Sequence, residues 1–171
     1  MNSAPRMSQA EWHQYHRLLR THPEQYLRIA EDAIRRYPDD PEGYEDCVYY
    51  WIRFKQYDYA LSDMTTVVAL EDSCLNRSLR ATVLRLLGRY QDAIDELDLA
   101  ERMDTTNVLV NLLNIDRAAC YAHLGNLEAA LADCARLPDD HWLPGIHGAP
   151  GGTKSEIIET IHRLAAEAKK S

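Results

Sequence analysis

A long stretch without proline constrains the fold of this chain more than any other feature. It runs from Tyr44 to Leu137 and contains only two glycines, Gly88 and Gly125. The stretch is rich in Ala, Leu, Glu and Arg and poor in alternating β-branched residues, which is typical of helices. The two glycines therefore indicate tight turns between helices. Glycine and proline crowd instead into residues 138–152, which predicts a loop there.

The sequences around these turns resemble one another. The segments 55–61, 88–94 and 125–131 align without a gap, and each carries an alanine at the same place. The aligned alanines are Ala60, Ala93 and Ala130, which are 33 and 37 residues apart. A recurrence of about 34 residues is the period of a helix–turn–helix solenoid. Helix pairs stack in such a solenoid because one pair cannot bury its own apolar face, and a small residue is needed where helix backbones approach closely.

This pattern resembles the tetratricopeptide repeat family over residues 7–137. The repeats begin at Pro41, Cys74 and Asn111. The small-residue position of the family falls on the three alanines, and its aromatic or large apolar position falls on Tyr57, Tyr90 and Leu127. Lys55 replaces the turn glycine in the first of these repeats, and the terminal proline of the family is missing from all three. A divergent earlier unit starts near Met7.

The resemblance implies an all-α fold, a right-handed α-α superhelix of about four helix pairs with a C-terminal capping helix. We expect a repeat domain over residues 7–137, a Gly/Pro-rich loop over 138–153 and the capping helix over 154–170. Asn107 is expected to cap the seventh helix through its side-chain oxygen. The predicted helices are Ser8–Arg20, Pro23–Tyr37, Pro41–Phe54, Tyr57–Leu70, Cys74–Leu87, Tyr90–Met103, Asn107–Leu124, Leu127–Arg136 and Lys154–Lys169.

The charge balance argues against two classes of partner. The chain has 19 Lys and Arg against 27 Asp and Glu, which gives a net charge of −8. A nucleic-acid binder that tracks phosphates and a helix that lies on a membrane surface are both basic as a rule. Charged residues interrupt the first thirty positions, and no apolar run approaches the ~20 residues of a membrane span. We therefore expect a soluble, cytoplasmic protein that binds neither nucleic acid nor membrane.

The cysteines fit a reducing compartment. Cys47, Cys74, Cys120 and Cys134 include no C-x-x-C pair, the spacing of zinc knuckles and redox motifs. Each has apolar or small neighbours, where a free thiol behaves as a small hydrophobic side chain. We expect buried, reduced thiols rather than a disulfide.

One segment resembles a phosphate-binding loop. Residues 148–155 approach the pattern G-x-x-x-x-G-K-[ST], in which Lys154 would contact phosphate oxygens. Thr153 stands where the second glycine is required, and no buried strand precedes the segment. A linker followed by an N-capped helix explains the same residues, because a motif outside its structural context is weak support for a site.

No other pattern indicates catalysis, a metal or a cofactor, and we expect none of the three. His13 and His16 share a helix face but lack the companion ligands of a zinc site, so both are expected to be exposed. His141 and Trp142 lie in the Gly/Pro-rich loop. Trp142 is expected to pack its indole on the last helices rather than to contact a partner.

The family resemblance implies a concave groove lined by the first helix of each repeat. Carried over position by position, the groove residues of the three repeats are Glu42, Glu45, Tyr49, Arg53, Ser78, Thr82, Arg85, Ile115, Ala119 and His123. Glu11, Tyr15 and Leu18 of the earlier unit would join them. Tyr49 is the best candidate for an exposed anchor, since tyrosine offers a large contact area at low entropic cost. Trp51 and Phe54 are expected to point inward.

These expectations favour a non-catalytic protein-interaction module, an adaptor, chaperone or toxin-neutralising partner, that binds a peptide or protein segment in the groove. The acidic residues Glu42, Glu45 and Asp46 favour a basic or mixed-charge partner. The positions at which relatives hold the acidic tails of chaperones carry Glu45 and Tyr49 here, so no basic clamp exists. A homo-oligomeric assembly protein, such as a homodimer, is the alternative. A nucleotide-binding enzyme that uses Lys154 is a weaker one.

Overall fold

The chain is all-α, as predicted, over the residues that its computed structural model describes, which are 9–139, 142–145 and 147–170, with side chains from residue 13 onward. One β-bridge pairs Leu143 with Gly152. The helices are α1 (Gln9–Thr21), α2 (Pro23–Arg36), α3 (Pro41–Arg53), α4 (Tyr57–Leu70), α5 (Cys74–Leu86), α6 (Tyr90–Met103), α7 (Val110–His123), α8 (Leu127–Ala135) and α9 (Lys154–Ala168). None of these helices is long and apolar enough to cross a membrane. Ser8, the predicted start of the first helix, lies outside the described residues.

Three of the turns between helices share one geometry. Lys55, Gly88 and Gly125 follow α3, α5 and α7 with positive φ angles of 56°, 76° and 75°. The next residue donates its N–H to a carbonyl five residues back in each turn, at 2.8, 2.9 and 2.9 Å. A left-handed residue followed by this 6→1 bond is the Schellman ending, in which glycine is favoured because it has no Cβ. The alignment of the three turns is confirmed, and it includes the turn that has lysine.

The recurring alanines lie at equivalent buried places. Ala60, Ala93 and Ala130 are each 0% exposed. Each donates its N–H to the residue just before its own helix, with N···O distances of 3.1, 3.0 and 3.2 Å. A larger side chain would have no space here, so the near-regular spacing of alanine reports helix packing, as predicted.

The first of two compact units ends at Asp72 and contains α1 to α4. Consecutive helices pack on one another, α1 on α2, α2 on α3 and α3 on α4. Tyr15, Tyr26 and Tyr50 form an aromatic core. The α2 and α3 backbones come close at Gly43, where an added Cβ would lie 3.0 Å from Ile34 Cγ1.

The second unit begins at Ser73 and contains α5 to α9. Its core includes the apolar face of α9, which packs against α7 and α8. Ile157 and Ile161 are 0% exposed on this face. Thr153 and Glu156 cap α9 reciprocally, each side chain accepting a hydrogen bond from the other residue's N–H. The predicted amphipathic last helix is therefore confirmed.

The start of α7 differs from the prediction. Asn107 does not cap the helix, since α7 begins at Val110 and Asn107 adopts a positive φ of 56°. Asp104 takes over the role. Its Oδ2 accepts from the Leu109 N–H at 2.8 Å, and its Oδ1 accepts from the Thr106 hydroxyl at 3.0 Å. These bonds hold the pKa of Asp104 below its usual value, the Leu109 N–H contributing most.

All four cysteines are free thiols. Cys47, Cys120 and Cys134 are buried, as predicted, whereas Cys74 at the start of α5 is partly exposed. Burial raises the pKa of Cys47 and of Cys120 to about 12. These two thiols therefore stay protonated at neutral pH and pack as small apolar groups.

Candidate partner-binding surface

Four of the predicted groove residues lie along one face of α3. Glu42, Glu45 and Tyr49 are half-buried, and Arg53 is exposed. Steps of three and four residues place these side chains on one stripe of the helix. The stripe, which we name the α3 face, presents two carboxylates, one phenol ring and one guanidinium.

The carboxylates of the α3 face lie in a negative environment. Burial raises the pKa of Glu45, and the negative charges of Glu71, Glu42 and Asp40 raise it further. A positive group brought to this face would relieve that repulsion and stabilise the ionised carboxylates.

The ring of Tyr49 packs against the imidazole of a histidine in α1. Its ring meets that of His16 edge to face, with centroids 6.2 Å apart. His16 also packs near Tyr15 and Tyr26, at 5.2 and 5.7 Å between ring centroids. The prediction that His16 is exposed is wrong, since these aromatic neighbours half-bury it. Burial, and then the charge of His13, lowers the pKa of His16.

The burial of the neighbouring aromatic residues differs from the prediction. Trp51 is half-buried, and its indole N–H donates to Asp63 Oδ2 at 2.8 Å. Phe54 was expected to point inward but is 42% exposed. It is the C-cap residue that follows Arg53, where α3 ends. Its ring still contacts that of Tyr50, with centroids 4.6 Å apart.

The predicted groove residues of the second unit are mostly buried. The buried members, each 7% exposed or less, are Ser78, Thr82, Arg85, Ile115 and Ala119. Side chains of α5 reach α7 directly, because Thr82 Oγ1 lies 3.1 Å and Arg85 Nε 3.5 Å from Asp116. The Arg85 guanidinium also donates to the His147 carbonyl at 3.1 Å, so a residue of the C-terminal loop covers it.

The last predicted groove residue, His123, is half-buried at the end of α7. Its imidazole stacks on the ring of Tyr90, with centroids 4.5 Å apart and planes 3° from parallel. Burial lowers its pKa, and the charge of Arg85 lowers it further.

An ion-pair network in the second unit was missed by the sequence analysis. Arg117 donates from Nε and Nη2 to both oxygens of Asp133, at 2.9 and 2.7 Å. Its Nη1 donates to Asp98 and Glu101, at 2.7 and 2.6 Å. One guanidinium thus joins α6, α7 and α8. The available signal was a charged pair, Asp116 and Arg117, between Ile115 and the small residues Ala118 to Cys120, where a buried charge must be paired.

The phosphate-loop-like segment is occupied by groups of this chain. Lys154 Nζ donates to the carbonyls of Ala135 and Leu137, at 3.2 and 3.0 Å, and to Asp139 at 2.8 Å. The N–H of Thr153 donates to Glu156 Oε2 at 2.7 Å. A phosphate group would have to displace that carboxylate from the N-terminus of α9, so the arrangement favours the capped-helix interpretation.

Two other sequence expectations concern single side chains. Trp142 was expected to pack on the last helices, yet it is 68% exposed. His141 lies outside the described residues, as does the side chain of Glu11. Among the side chains that are described, no group of three or more His, Cys, Asp or Glu could hold a metal ion.

Repeated helix pairs joined by Schellman turns, with buried alanines at equivalent places, define an α-α solenoid of the tetratricopeptide type. Two solved structures share this fold. The MamA AMB-1 structure has a TM-score of 0.58 and 20% identity, over 71% of this chain and 66% of that one. The MamA MSR-1 structure has a TM-score of 0.58 and 17% identity, over 88% of this chain and 72% of that one.

This chain thus spans just under two thirds of the MamA AMB-1 chain. No family model matches the sequence. No curated protein matches it either. Since both structural similarities lie below 25% identity, they establish the fold and leave the function to the site.

Proposed function

We propose that this protein is a non-catalytic interaction module that binds a basic or mixed-charge protein segment on the α3 face. The contrast between the two sets of predicted groove residues carries the proposal. Glu42, Glu45, Tyr49 and Arg53 are all at least partly accessible. Five of the six in the second unit are buried.

The chemistry of the α3 face supports a positively charged partner. The pKa of Glu45 is raised because burial and three neighbouring carboxylates disfavour its charge. A lysine or arginine of the partner would relieve the repulsion among these carboxylates and gain a partly desolvated ion pair. Tyr49 would supply apolar contact area from a side chain already held by the His16 ring.

A charge-reversal experiment tests the proposal. Immobilised basic, mixed and acidic peptides are probed with the full chain, and then with Glu45→Lys and Tyr49→Ala. We expect binding to basic or mixed peptides, lost by about tenfold or more in both variants, since close charge pairs and aromatic anchors dominate such interfaces. Glu159→Lys, an exposed position of α9, is the control with the same change of charge.

Two results would contradict the proposal. One is a preference for acidic peptides. The other is an equal loss of peptide binding in Glu45→Lys and Glu159→Lys, which would mean that binding depends only on net charge. Light scattering of the free protein separates the alternative function, self-assembly. A concentration-dependent oligomer that binds none of the peptides would favour that alternative.

A further inference from the structure

A small cavity in the first unit holds a carboxylate that the α3 face does not use. The cavity has a volume of about 200 Å³ and lies among α1, α2 and the beginning of α3. Ile29 and Ala33 give it aliphatic walls, and Asp46 and Tyr15 add polar groups. Glu42, which also belongs to the α3 face, lines it as well.

Among the described side chains, no lysine or arginine pairs with the buried carboxylate of Asp46. It is 7% exposed, and its Oδ1 accepts from the Tyr26 hydroxyl at 2.8 Å. His16 Nε2 lies 3.7 Å away, and burial, then the charge of His13, lowers the pKa of His16 and so disfavours its charged form. Burial raises the pKa of Asp46 only to about 6, so the carboxylate is mostly ionised at neutral pH.

Tyr15 supplies a second sign that a ligand is missing from the cavity. This residue lines the cavity and is 6% exposed, and its ring stacks on that of Tyr26 with centroids 4.5 Å apart. Its buried hydroxyl lies near Asp46 and Tyr26 but makes no hydrogen bond of good geometry with any described residue. Buried hydroxyls are nearly always paired in folded proteins, so an unpaired one in the wall of a cavity indicates a group that binds there.

The one arginine among the described residues of the cavity lining, Arg36, does not neutralise Asp46. Arg36 lines the cavity, but its guanidinium pairs with Asp32 at 2.5 Å. Asp40 and Glu42 are further acidic residues in the lining. The cavity therefore has an excess of negative charge that would attract a cation from solution.

We propose that this cavity, the amine pocket, binds the primary ammonium group of a lysine side chain, which would donate to Asp46 and to the Tyr15 hydroxyl. A guanidinium fits less well, because its fork needs both carboxylate oxygens and Tyr26 already occupies Oδ1. The aliphatic walls suit the four-carbon lysine stem. The inference rests on the proposed function for the source of the amine, a lysine of the bound protein segment.

The experiment titrates the full chain with Nα-acetyl-lysine-N-methylamide and follows amide shifts by NMR. The norleucine and arginine analogues serve as neutral and guanidinium comparisons. We expect weak but saturable binding of the lysine analogue, with the norleucine analogue at least about tenfold weaker. Asp46→Asn keeps an acceptor for Tyr26 and should weaken binding about tenfold or more, and Tyr15→Phe should weaken it by a smaller factor.

Asp63→Asn is the matched control, because Asp63 is also a partly buried carboxylate of the first unit and accepts one bond, from Trp51. It should bind the lysine analogue within about twofold of the unchanged protein.

Three outcomes would each overturn the amine pocket. They are equal binding of the norleucine or arginine analogue, no binding of the lysine analogue, and equal effects of Asp46→Asn and Asp63→Asn. These outcomes would not contradict the proposed function, because the peptide-binding experiment with Glu45→Lys tests it separately. Failure of the peptide test with amine binding intact would overturn the proposed function alone.

Discussion

Lys55 is a lysine in a conformation that favours glycine. Its φ of 56° matches the turn geometry of Gly88 and Gly125, and its side chain is exposed. A residue with a Cβ is strained in the left-handed region, by about 1–2 kcal/mol. Replacing Lys55 with glycine should therefore stabilise the protein by about 0.5–1 kcal/mol, after the added entropy of the unfolded chain is subtracted. Chemical denaturation of the full chain measures the change.

The reciprocal substitution provides the control. Gly88→Lys introduces the same Cβ into an equivalent turn where nothing lies within 4 Å of it, so backbone strain alone should act. It should destabilise the protein by about 1 kcal/mol. Stabilisation in both variants, or in neither, would show that the two turns are not equivalent.

Single residues also mark where sequence reasoning succeeds and where it stops. The turn at Lys55 was predictable because its neighbours repeat those of Gly88 and Gly125. The cap of α7 was not, because Asn107 is a good capping residue by type, and Asp104 reaches Leu109 from five residues upstream. Residue preference carries no information about which of two nearby acceptors the backbone will bring into place.

Arg117 controls how three helices of the second unit are held together. It joins Asp98 and Glu101 of α6 to Asp133 of α8, and its side chain is 8% exposed. Arg117→Met would leave the buried Asp133 without its bidentate partner, and removal of one member of a buried pair costs about 3–5 kcal/mol. We expect a loss of about 3 kcal/mol in the free energy of unfolding, measured by denaturation monitored by circular dichroism.

Arg136→Met separates burial from charge in this experiment. Arg136 also pairs with Glu101, but its side chain is 44% exposed. Exposed ion pairs contribute about 0–1 kcal/mol, so this variant should lose less than ~1 kcal/mol. Similar losses in the two variants would mean that the network contributes through net charge rather than through the link between helices.

The positions of the helices could be predicted from the sequence, whereas the faces that each helix leaves exposed could not. Of the eight helices after α1, seven begin at the residue predicted from proline, glycine and apolar spacing, and α7 begins three residues later than predicted. The burial of Thr82 and Arg85 depends on contacts with Asp116 and with the His147 carbonyl, 34 and 62 residues away. Helical spacing places a residue on a face but does not reveal what returns to cover that face.

We expect acid to change the stability of the two units of the molecule in opposite directions. In the first unit, Asp46 has its pKa raised to about 6 by burial, so the folded state binds a proton more tightly than the unfolded chain. This favours folding below about pH 4 and is lost as the pH rises through 6. In the second unit, hydrogen bonding from Arg136 and Arg117 lowers the pKa of Glu101 to about 2. That stabilisation is present above about pH 4.5 and is lost as the pH falls towards 2.

Hydrogen exchange resolves the two responses, since Val67 and Leu97 are fully buried in the first and second units. We expect Asp46→Asn to stabilise the first unit by about 1–3 kcal/mol at pH 7 and by almost nothing near pH 4. Glu101→Gln should destabilise the second unit at pH 7, with the difference shrinking as the pH approaches 2. His16, Glu42 and Glu45 are further ionisable groups near Asp46, so the comparison with Asp46→Asn isolates its contribution. A pH-independent difference would mean that the pKa of Asp46 is the same in the folded and the unfolded chain. A gain from Asp46→Asn that keeps growing above pH 7 would mean that Asp46 is still neutral there, and an uncharged Asp46 would remove the electrostatic basis of the amine pocket.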